Sequence, residues 1–187
     1  MSTAVIRDPT RQAVLSDGDE RLDYVVGKYS ALLHDLHSVP DADTLVHNDL
    51  HLGNVPVHNG EWMIIDLDEI SMGYPSFDLG VIYATCCAFY ENGIPGREDR
   101  AEMEEFHRFS WETSVRMRHD LLRRYYPGIS EEKAAEVEEI LGFIGYLRLL
   151  SYLSVRPGFT ADVPKIANAV RRLKEMLTGL DTLAYEV

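Results

Sequence analysis

One stretch of the chain, residues 45–70, differs from everything around it and constrains the fold more than any other feature. Two short apolar runs, 55–57 and 62–65, flank the polar dipeptide Asn59-Gly60. Asn-Gly between two such runs is a strong signal for a β-hairpin, because both residues tolerate the positive φ angles of a tight turn. We therefore predict a small antiparallel ribbon here, with polar clusters directly before and after it.

The sequence on both sides of this ribbon has a helical pattern. Before it, apolar residues recur at three- and four-residue spacing from Leu22 to Leu36, which predicts a helix over 18–37. After it, glycine, proline and capping residues separate further helices that we expect over 76–91, 98–125, 130–154 and 162–178. The expected fold class is α+β and predominantly α-helical, in a single domain that spans residues 1–187.

The net charge of the chain limits the kinds of molecule that we expect it to bind. The chain of 187 residues carries 31 acidic and 18 basic side chains, a formal net charge of −13. Binding to a nucleic-acid backbone needs a basic surface, so we expect no nucleic-acid partner. The field of an acidic chain favours cationic small molecules and metal ions instead.

The two cysteines and the length of the apolar runs indicate in which cellular compartment we expect the protein. Cys86 and Cys87 are adjacent in the sequence, and adjacent cysteines rarely satisfy disulfide geometry. We therefore expect free thiols in a reducing compartment. The longest nearly apolar run, 80–90, is shorter than the roughly 20 residues that a membrane-spanning helix needs. The expectation is a cytoplasmic protein with no membrane partner.

Polar residues that suit metal and phosphate chemistry surround the predicted hairpin. Because its strands run out and back, the hairpin brings the cluster before it close to the cluster after it. Neighbouring carboxylates repel one another unless a cation neutralises them, and oxygen ligands of this kind suit Mg²⁺. The residues that we expect to converge are Asp49, Asn54, Asp66 and Asp68.

Three motifs in this region resemble one known family. The spacing His47-x-Asp49-x-x-x-x-Asn54, within the stretch 46–55, resembles the catalytic loop of the aminoglycoside phosphotransferase and choline kinase family, which has a protein-kinase-like fold. The stretch 65–68 resembles the metal-binding strand end of that family. The stretch 73–80 resembles the segment that follows it, in which an aspartate lies near the start of a helix.

The resemblance implies a fold and an activity. The fold is the C-terminal lobe of a protein-kinase-like protein, with a small β-hairpin beside the catalytic loop. The activity is an ATP- and Mg²⁺-dependent transfer of the γ-phosphoryl group to a hydroxyl of a small molecule, such as an aminoglycoside, choline or a sugar-like compound. GTP in place of ATP stays open as the donor, and a cationic substrate agrees with the acidic chain.

Position by position, the resemblance also implies roles. Asp49 is the catalytic base that orients the substrate hydroxyl. Asn54 and Asp66 are the metal ligands, and through the metal they bind the nucleotide cofactor. The other matching positions are supporting residues: His47, His51, Asp68 and Asp78.

Two of these supporting residues have a defined place in the resemblance. His47 is expected to brace the catalytic loop, and Asp78 is expected to accept hydrogen bonds from it as a buried support. Asp68 either supports the metal ligands or lines the substrate side, and the role of His51 stays open.

The chain departs from the family before the catalytic loop. Only 46 residues precede His47, with no glycine-rich loop, and Lys28 is the one lysine among them. The expectation is therefore a C-terminal lobe without the N-terminal nucleotide lobe. Such a chain is a shortened gene product, works with a separate partner that supplies the lobe, or has lost catalysis. An exposed apolar cleft would favour a homo-oligomer.

Two other functions stay open at this point. One is a non-catalytic, kinase-like module for binding or assembly, which the missing lobe favours. The other is a metal-dependent hydrolase that uses His47, Asp49 and His51 with Asp66 or Asp68, since His-x-Asp-x-His resembles the ligand spacing of a transition-metal site.

Overall fold

The computed structural model describes residues 44–73, 75–94, 96–97, 99–154 and 163–179. The chain divides into two compact units, Met1–Ile82 and Tyr83–Val187. The described residues are mostly helical with short antiparallel sheets, which is compatible with the predicted α+β class. The helix predicted over 18–37 lies outside them.

In the first unit, two short strands that are distant in sequence pair with each other. Strand β1, Thr44–Val46, is antiparallel to strand β4, Ser71–Gly73, and Leu45 lies opposite Met72. The sequence analysis predicted neither of these two strands. The pairing brings together the two ends of the segment 47–70, which contains the polar clusters before and after the hairpin.

The predicted hairpin is present between those two strands and is shorter than expected. Strand β2, Val57–His58, pairs with strand β3, Glu61–Trp62. Asn59 and Gly60 form the turn with φ angles of 51° and 82°, as the Asn-Gly signal requires. This prediction is confirmed.

A helical run follows β4 and includes a widened segment. Helix α1 spans Pro75–Tyr83, a π-helical segment spans Ala84–Ala88, and helix α2 spans Phe89–Asn92. The prediction of a helix over 76–91 is confirmed, but the π-helical geometry was not predicted. The adjacent Cys86 and Cys87 lie within the π segment and are both free and buried, so the prediction of free thiols is also confirmed.

The predicted helix over 98–125 is wrong as a single element. The structure has helix α3, Arg100–His107, and helix α4, Trp111–Tyr125. The backbone of Arg108 is left-handed, with φ at 61°, which ends the first helix. Ser110 then caps the second helix, because its side-chain oxygen accepts the backbone N–H of Thr113.

The last two helices agree with the sequence pattern and enclose the core of the second unit. Helix α5 spans Glu131–Ser154 and helix α6 spans Pro164–Gly179. Helix α5 packs mainly against α6 and against the π segment. The largest fully buried side chains of this unit are Tyr83, Ile94, Met103, Leu122, Leu141, Phe143, Tyr146, Leu149 and Leu150. Among the described residues, none of the helices combines the length and the hydropathy that crossing a bilayer requires.

Candidate active site

The polar loop that follows β1 folds around the backbone of Asp49. The Asp49 carbonyl accepts two hydrogen bonds, from the His51 N–H at 2.9 Å and from Nδ2 of Asn54 at 3.0 Å. A short 3₁₀ turn, Leu52–Asn54, closes the loop and brings Asn54 back to Asp49. The carboxylate of Asp49 remains partly exposed, with 39% of the side chain accessible.

His47 braces this loop against the segment that follows the hairpin. Its side chain is buried, and Nε2 lies 2.9 Å from the carbonyl oxygen of Ile65. A carbonyl only accepts hydrogen bonds, so Nε2 carries the proton and donates it. Nδ1 of the neutral ring is then an acceptor, and the backbone N–H of Asp49 lies 3.4 Å from it. The ring therefore joins the start of the loop to the residue before Asp66.

Ile65 is bonded to the loop through both of its backbone groups. Its N–H donates to the carbonyl of Asn54 at 3.0 Å, and its carbonyl accepts from His47. The next residue, Asp66, has a left-handed backbone with φ at 63° and an exposed side chain. Aspartate tolerates this conformation better than most residues do. The two expected metal ligands, Asn54 and Asp66, thus lie on backbone segments that a direct hydrogen bond connects.

The chemistry of Asn54 and Asp66 fits a magnesium ion. The Asn54 side chain is buried, and its Nδ2 is committed to the Asp49 carbonyl, which leaves Oδ1 as the group that can ligate a cation. Asp66 adds a carboxylate. Magnesium sites in phosphoryl-transfer proteins use one or two such oxygen ligands together with substrate phosphates and water.

Asp78 holds the start of the loop from helix α1. Oδ2 accepts the backbone N–H of His47 at 2.9 Å, and Oδ1 accepts that of Asn48 at 2.8 Å. Asp78 lies in the first turn of α1, where a negative charge also interacts favourably with the helix dipole. Asp78 therefore accepts two backbone hydrogen bonds from this loop, and its side chain is half-buried.

His51 and Asp68 occupy different surroundings. Nδ1 of His51 accepts the backbone N–H of Gly53 at 3.0 Å, so Nε2 carries the proton of the neutral ring. Nε2 faces Oδ2 of Asp49 at 3.8 Å, which places a donor beside the expected catalytic carboxylate. Asp68 is exposed and is not among the residues that these bonds connect.

The geometry of His47 does not support the hydrolase alternative. Its two ring nitrogens face backbone groups of Ile65 and Asp49 rather than a shared ligand position with His51. In the part of the chain that the structure describes, no three or more His, Cys, Asp or Glu side chains form a group that would hold a metal ion.

The sequence did not single out Asn48, which lies between two residues that it did. Asn48 has a left-handed backbone, with φ at 66°, and its side chain bonds to the segment after Asp66. Such a conformation is typical of Gly, Asn and Asp, so the residue type was the available signal.

The chain matches a known protein family. Residues 7–119, more than half of the chain, match the model of the phosphotransferase enzyme family, APH. The chain belongs to the phosphotransferase enzyme family, which confirms the resemblance drawn from the motifs and implies an enzyme that acts on small molecules. No curated protein and no solved structure matches it.

Proposed function

We propose that this chain binds ATP with Mg²⁺ and transfers the γ-phosphoryl group to a hydroxyl of a small molecule. The observation that carries the proposal is the backbone hydrogen bond from Ile65 to Asn54 at 3.0 Å. This bond connects the segment that bears Asp66 to the loop that bears Asp49 and Asn54. The three residues that the chemistry needs are therefore held together through the backbone.

Phosphoryl transfer depends mostly on positioning and on neutralising charge at the transferred group. Asn54 and Asp66 would hold Mg²⁺, which would offset the negative charge of the nucleotide phosphates. Asp49 would orient the acceptor hydroxyl and accept its proton as the oxygen attacks the γ-phosphorus. The bond from that phosphorus to the bridging oxygen breaks, and ADP leaves. The His51 ring would lie beside the Asp49 carboxylate, with Nε2 3.8 Å from Oδ2.

The acceptor is proposed from the charge of the chain. A net charge of −13 favours a cationic or amine-bearing alcohol over an anionic one. Aminoglycosides, choline and amino sugars combine a hydroxyl with a positive charge, so they are the first acceptors to examine. GTP is the alternative donor.

A partner surface and a compartment are also part of the proposal. In the first unit, apolar side chains of β3 and the residues after it are exposed, and Trp62 is 75% exposed. Exposed apolar surface of this kind supports binding of a separate partner chain or of a second copy. The two free thiols, Cys86 and Cys87, support a reducing compartment, which for this protein would be the cytoplasm.

Calorimetric titration of the full 187-residue chain with ATP, with and without Mg²⁺, tests the proposal. The expected result is saturable binding that requires Mg²⁺ and that Asp66→Asn abolishes. Asp120→Asn is the matched control, because it makes the same chemical change at an exposed position on α4. A folded wild-type chain that binds no Mg·ATP, or an Asp66→Asn variant that binds it equally well, would contradict the proposal and favour a non-catalytic assembly module.

The transfer step needs a second experiment. ADP formation is measured with a panel of aminoglycosides, choline and sugars as acceptors. We expect Asp49→Asn to keep Mg·ATP binding and to lose acceptor-dependent ADP formation, because it removes the proton acceptor and leaves the metal ligands in place. Transfer at the wild-type rate in Asp49→Asn would show that Asp49 is not the base.

A further inference from the structure

Asn48 connects three parts of the first unit from a single position in the loop. Its backbone N–H donates to Oδ1 of Asp78 at 2.8 Å. Its side-chain Nδ2 donates to the carbonyl of Glu69 at 2.7 Å and to Oγ of Ser71 at 2.8 Å. The two hydrogens of one amide group thus have two acceptors, both on residues that follow Asp66 in the sequence.

These bonds anchor the far end of the segment that bears the proposed metal ligand. The near end is anchored at Ile65, which bonds to the loop through both of its backbone groups. The far end is anchored at Glu69, through Asn48. A turn within the segment is closed by the Ile70 N–H and the Leu67 carbonyl at 3.2 Å. Asp66 therefore lies on a short span whose two ends are both bonded to the catalytic loop.

We propose that Asn48 is a positioning residue, which sets the place of Asp66 relative to Asp49 by fastening the carbonyl of Glu69 to the loop. The inference rests on the proposed function of Asp49 and Asp66. Asn48 itself touches neither the nucleotide nor the acceptor in this assignment. It acts through the backbone of the segment 66–69. In metal sites, residues that bond to a ligand but not to the metal orient that ligand in a similar way.

The left-handed backbone of Asn48 makes its two contributions separable. Glycine adopts a φ of 66° without steric cost, so Asn48→Gly keeps the backbone conformation and the N–H bond to Asp78 while it removes only the side-chain amide. Asn59 also has a left-handed backbone, with φ at 51°, but its side chain is exposed in the hairpin turn. Asn59→Gly is therefore the matched control for the same substitution in the same conformation.

A positioning role and a merely structural role predict different results. Removal of an outer residue that orients a metal ligand typically lowers metal affinity or activity about 10- to 100-fold. We therefore expect Asn48→Gly to raise the Mg²⁺ concentration for half-maximal ATP binding at least about 10-fold, and Ser71→Ala to have a smaller effect in the same direction. If Asn48 served only stability, its substitution would lower the free energy of unfolding and leave the Mg²⁺ concentration for half-maximal ATP binding unchanged.

The experiment combines Mg²⁺-dependent ATP binding, chemical denaturation and amide hydrogen exchange on wild type, Asn48→Gly, Ser71→Ala and Asn59→Gly. Support consists of a higher Mg²⁺ concentration for half-maximal ATP binding and faster exchange over residues 66–70 in Asn48→Gly, with Asn59→Gly like wild type. Unchanged exchange over residues 66–70, or unchanged Mg²⁺ dependence in Asn48→Gly, would overturn the inference. A wild-type chain that binds no Mg·ATP would instead overturn the proposed function, and the exchange measurement would still decide whether Asn48 holds the segment.

Discussion

The carboxylate of Asp78 accepts the backbone N–H of His47 at 2.9 Å, so a side chain of helix α1 holds the first residue of the loop 47–54. The second carboxylate oxygen accepts the N–H of Asn48 at 2.8 Å. Hydrogen bonds to an ionised acceptor are shorter and stronger than those between neutral groups. The conformation of the loop therefore depends on one residue that lies outside it.

Asp78→Asn should destabilise the first unit. The change replaces one acceptor oxygen with an NH₂ group. This group cannot accept the hydrogen bond of the backbone N–H that faces it. Loss of a charge-assisted hydrogen bond of this kind costs about 1.5–3 kcal/mol, which urea denaturation measures. Asp68→Asn makes the same change at an exposed carboxylate and should alter the free energy of unfolding by less than about 0.5 kcal/mol. Equal effects of the two variants would show that the Asp78 bonds do not stabilise the loop.

Arg108 gives a second prediction, because its left-handed backbone ends helix α3. Its φ is 61°, and its N–H donates to the carbonyl of Glu104 at 2.7 Å. A left-handed backbone costs a residue with a Cβ roughly 1–2 kcal/mol, whereas glycine instead loses about 0.5–1 kcal/mol of chain entropy. Arg108→Gly should therefore be more stable than Arg108→Ala by up to about 1 kcal/mol in chemical denaturation. An alanine variant that matches the glycine variant would mean that the backbone at this position carries no strain.

The break at Arg108 also shows where sequence patterns stop being informative. The hairpin was predictable because Asn59-Gly60 determines its turn locally. The division between α3 and α4 was not, since an arginine in a glycine-like conformation leaves no glycine or proline in the sequence. The pairing of β1 with β4 was missed for another reason. Each strand has only three residues, and their contact depends on the fold of everything between them.

The candidate site divides in the same way. The residues with chemically informative side chains, Asp49, Asn54 and Asp66, could be proposed as site residues from their types and spacing. The role of Ile65 was not, because it acts through its backbone N–H and carbonyl, which every residue except proline possesses. Asp68 stays a prediction, and its side chain is exposed, as is that of Asp66.

Two glycines of helix α5 provide a matched pair for a third prediction. A Cβ at Gly145 would lie 3.0 Å from the backbone N of Ala84 and 3.1 Å from the carbonyl carbon of Tyr83. A Cβ at Gly142 would meet only the end of the Met176 side chain, at 3.9 Å. Alanine has the higher helix propensity, so only the packing distinguishes the two positions.

Gly142→Ala should stabilise the chain by up to about 1 kcal/mol, because alanine is the better helix former. Gly145→Ala should destabilise it by about 1–3 kcal/mol, because the backbone of the π segment must move to admit a methyl group. Denaturant unfolding of both variants measures the difference in sign. If Gly145→Ala were as stable as Gly142→Ala, helix α5 would not approach the π segment as closely as the structure shows.

The thiols of the π segment give a fourth prediction, which concerns pH. Burial raises the pKa of Cys86 to about 11 and that of Cys87 to about 12, from an ordinary value of 9.0. For Cys87, the neighbouring Glu91 carboxylate also raises the pKa, while Arg118, which donates to Sγ at 2.9 Å, lowers it by a smaller amount. Both thiols therefore stay protonated in the native protein well above the pH at which free cysteine ionises.

The sign of the effect on stability follows from these raised pKa values. Below about pH 9 the thiols are protonated in both the folded and the unfolded chain, so their contribution to stability is fully present. Between pH 9.0 and about 12 the unfolded chain releases protons that the native chain retains, so the free energy of unfolding falls. Ultraviolet absorbance of the thiolate should rise near pH 9.0 in denaturant and only near pH 11 and above in the native protein. The double variant Cys86→Ala/Cys87→Ala should lose this part of the alkaline destabilisation. It keeps the part that comes from buried tyrosines such as Tyr90, whose pKa burial raises to about 12. A native thiolate signal already at pH 9.0 would show that the two sulfur atoms are not held in the buried positions described here.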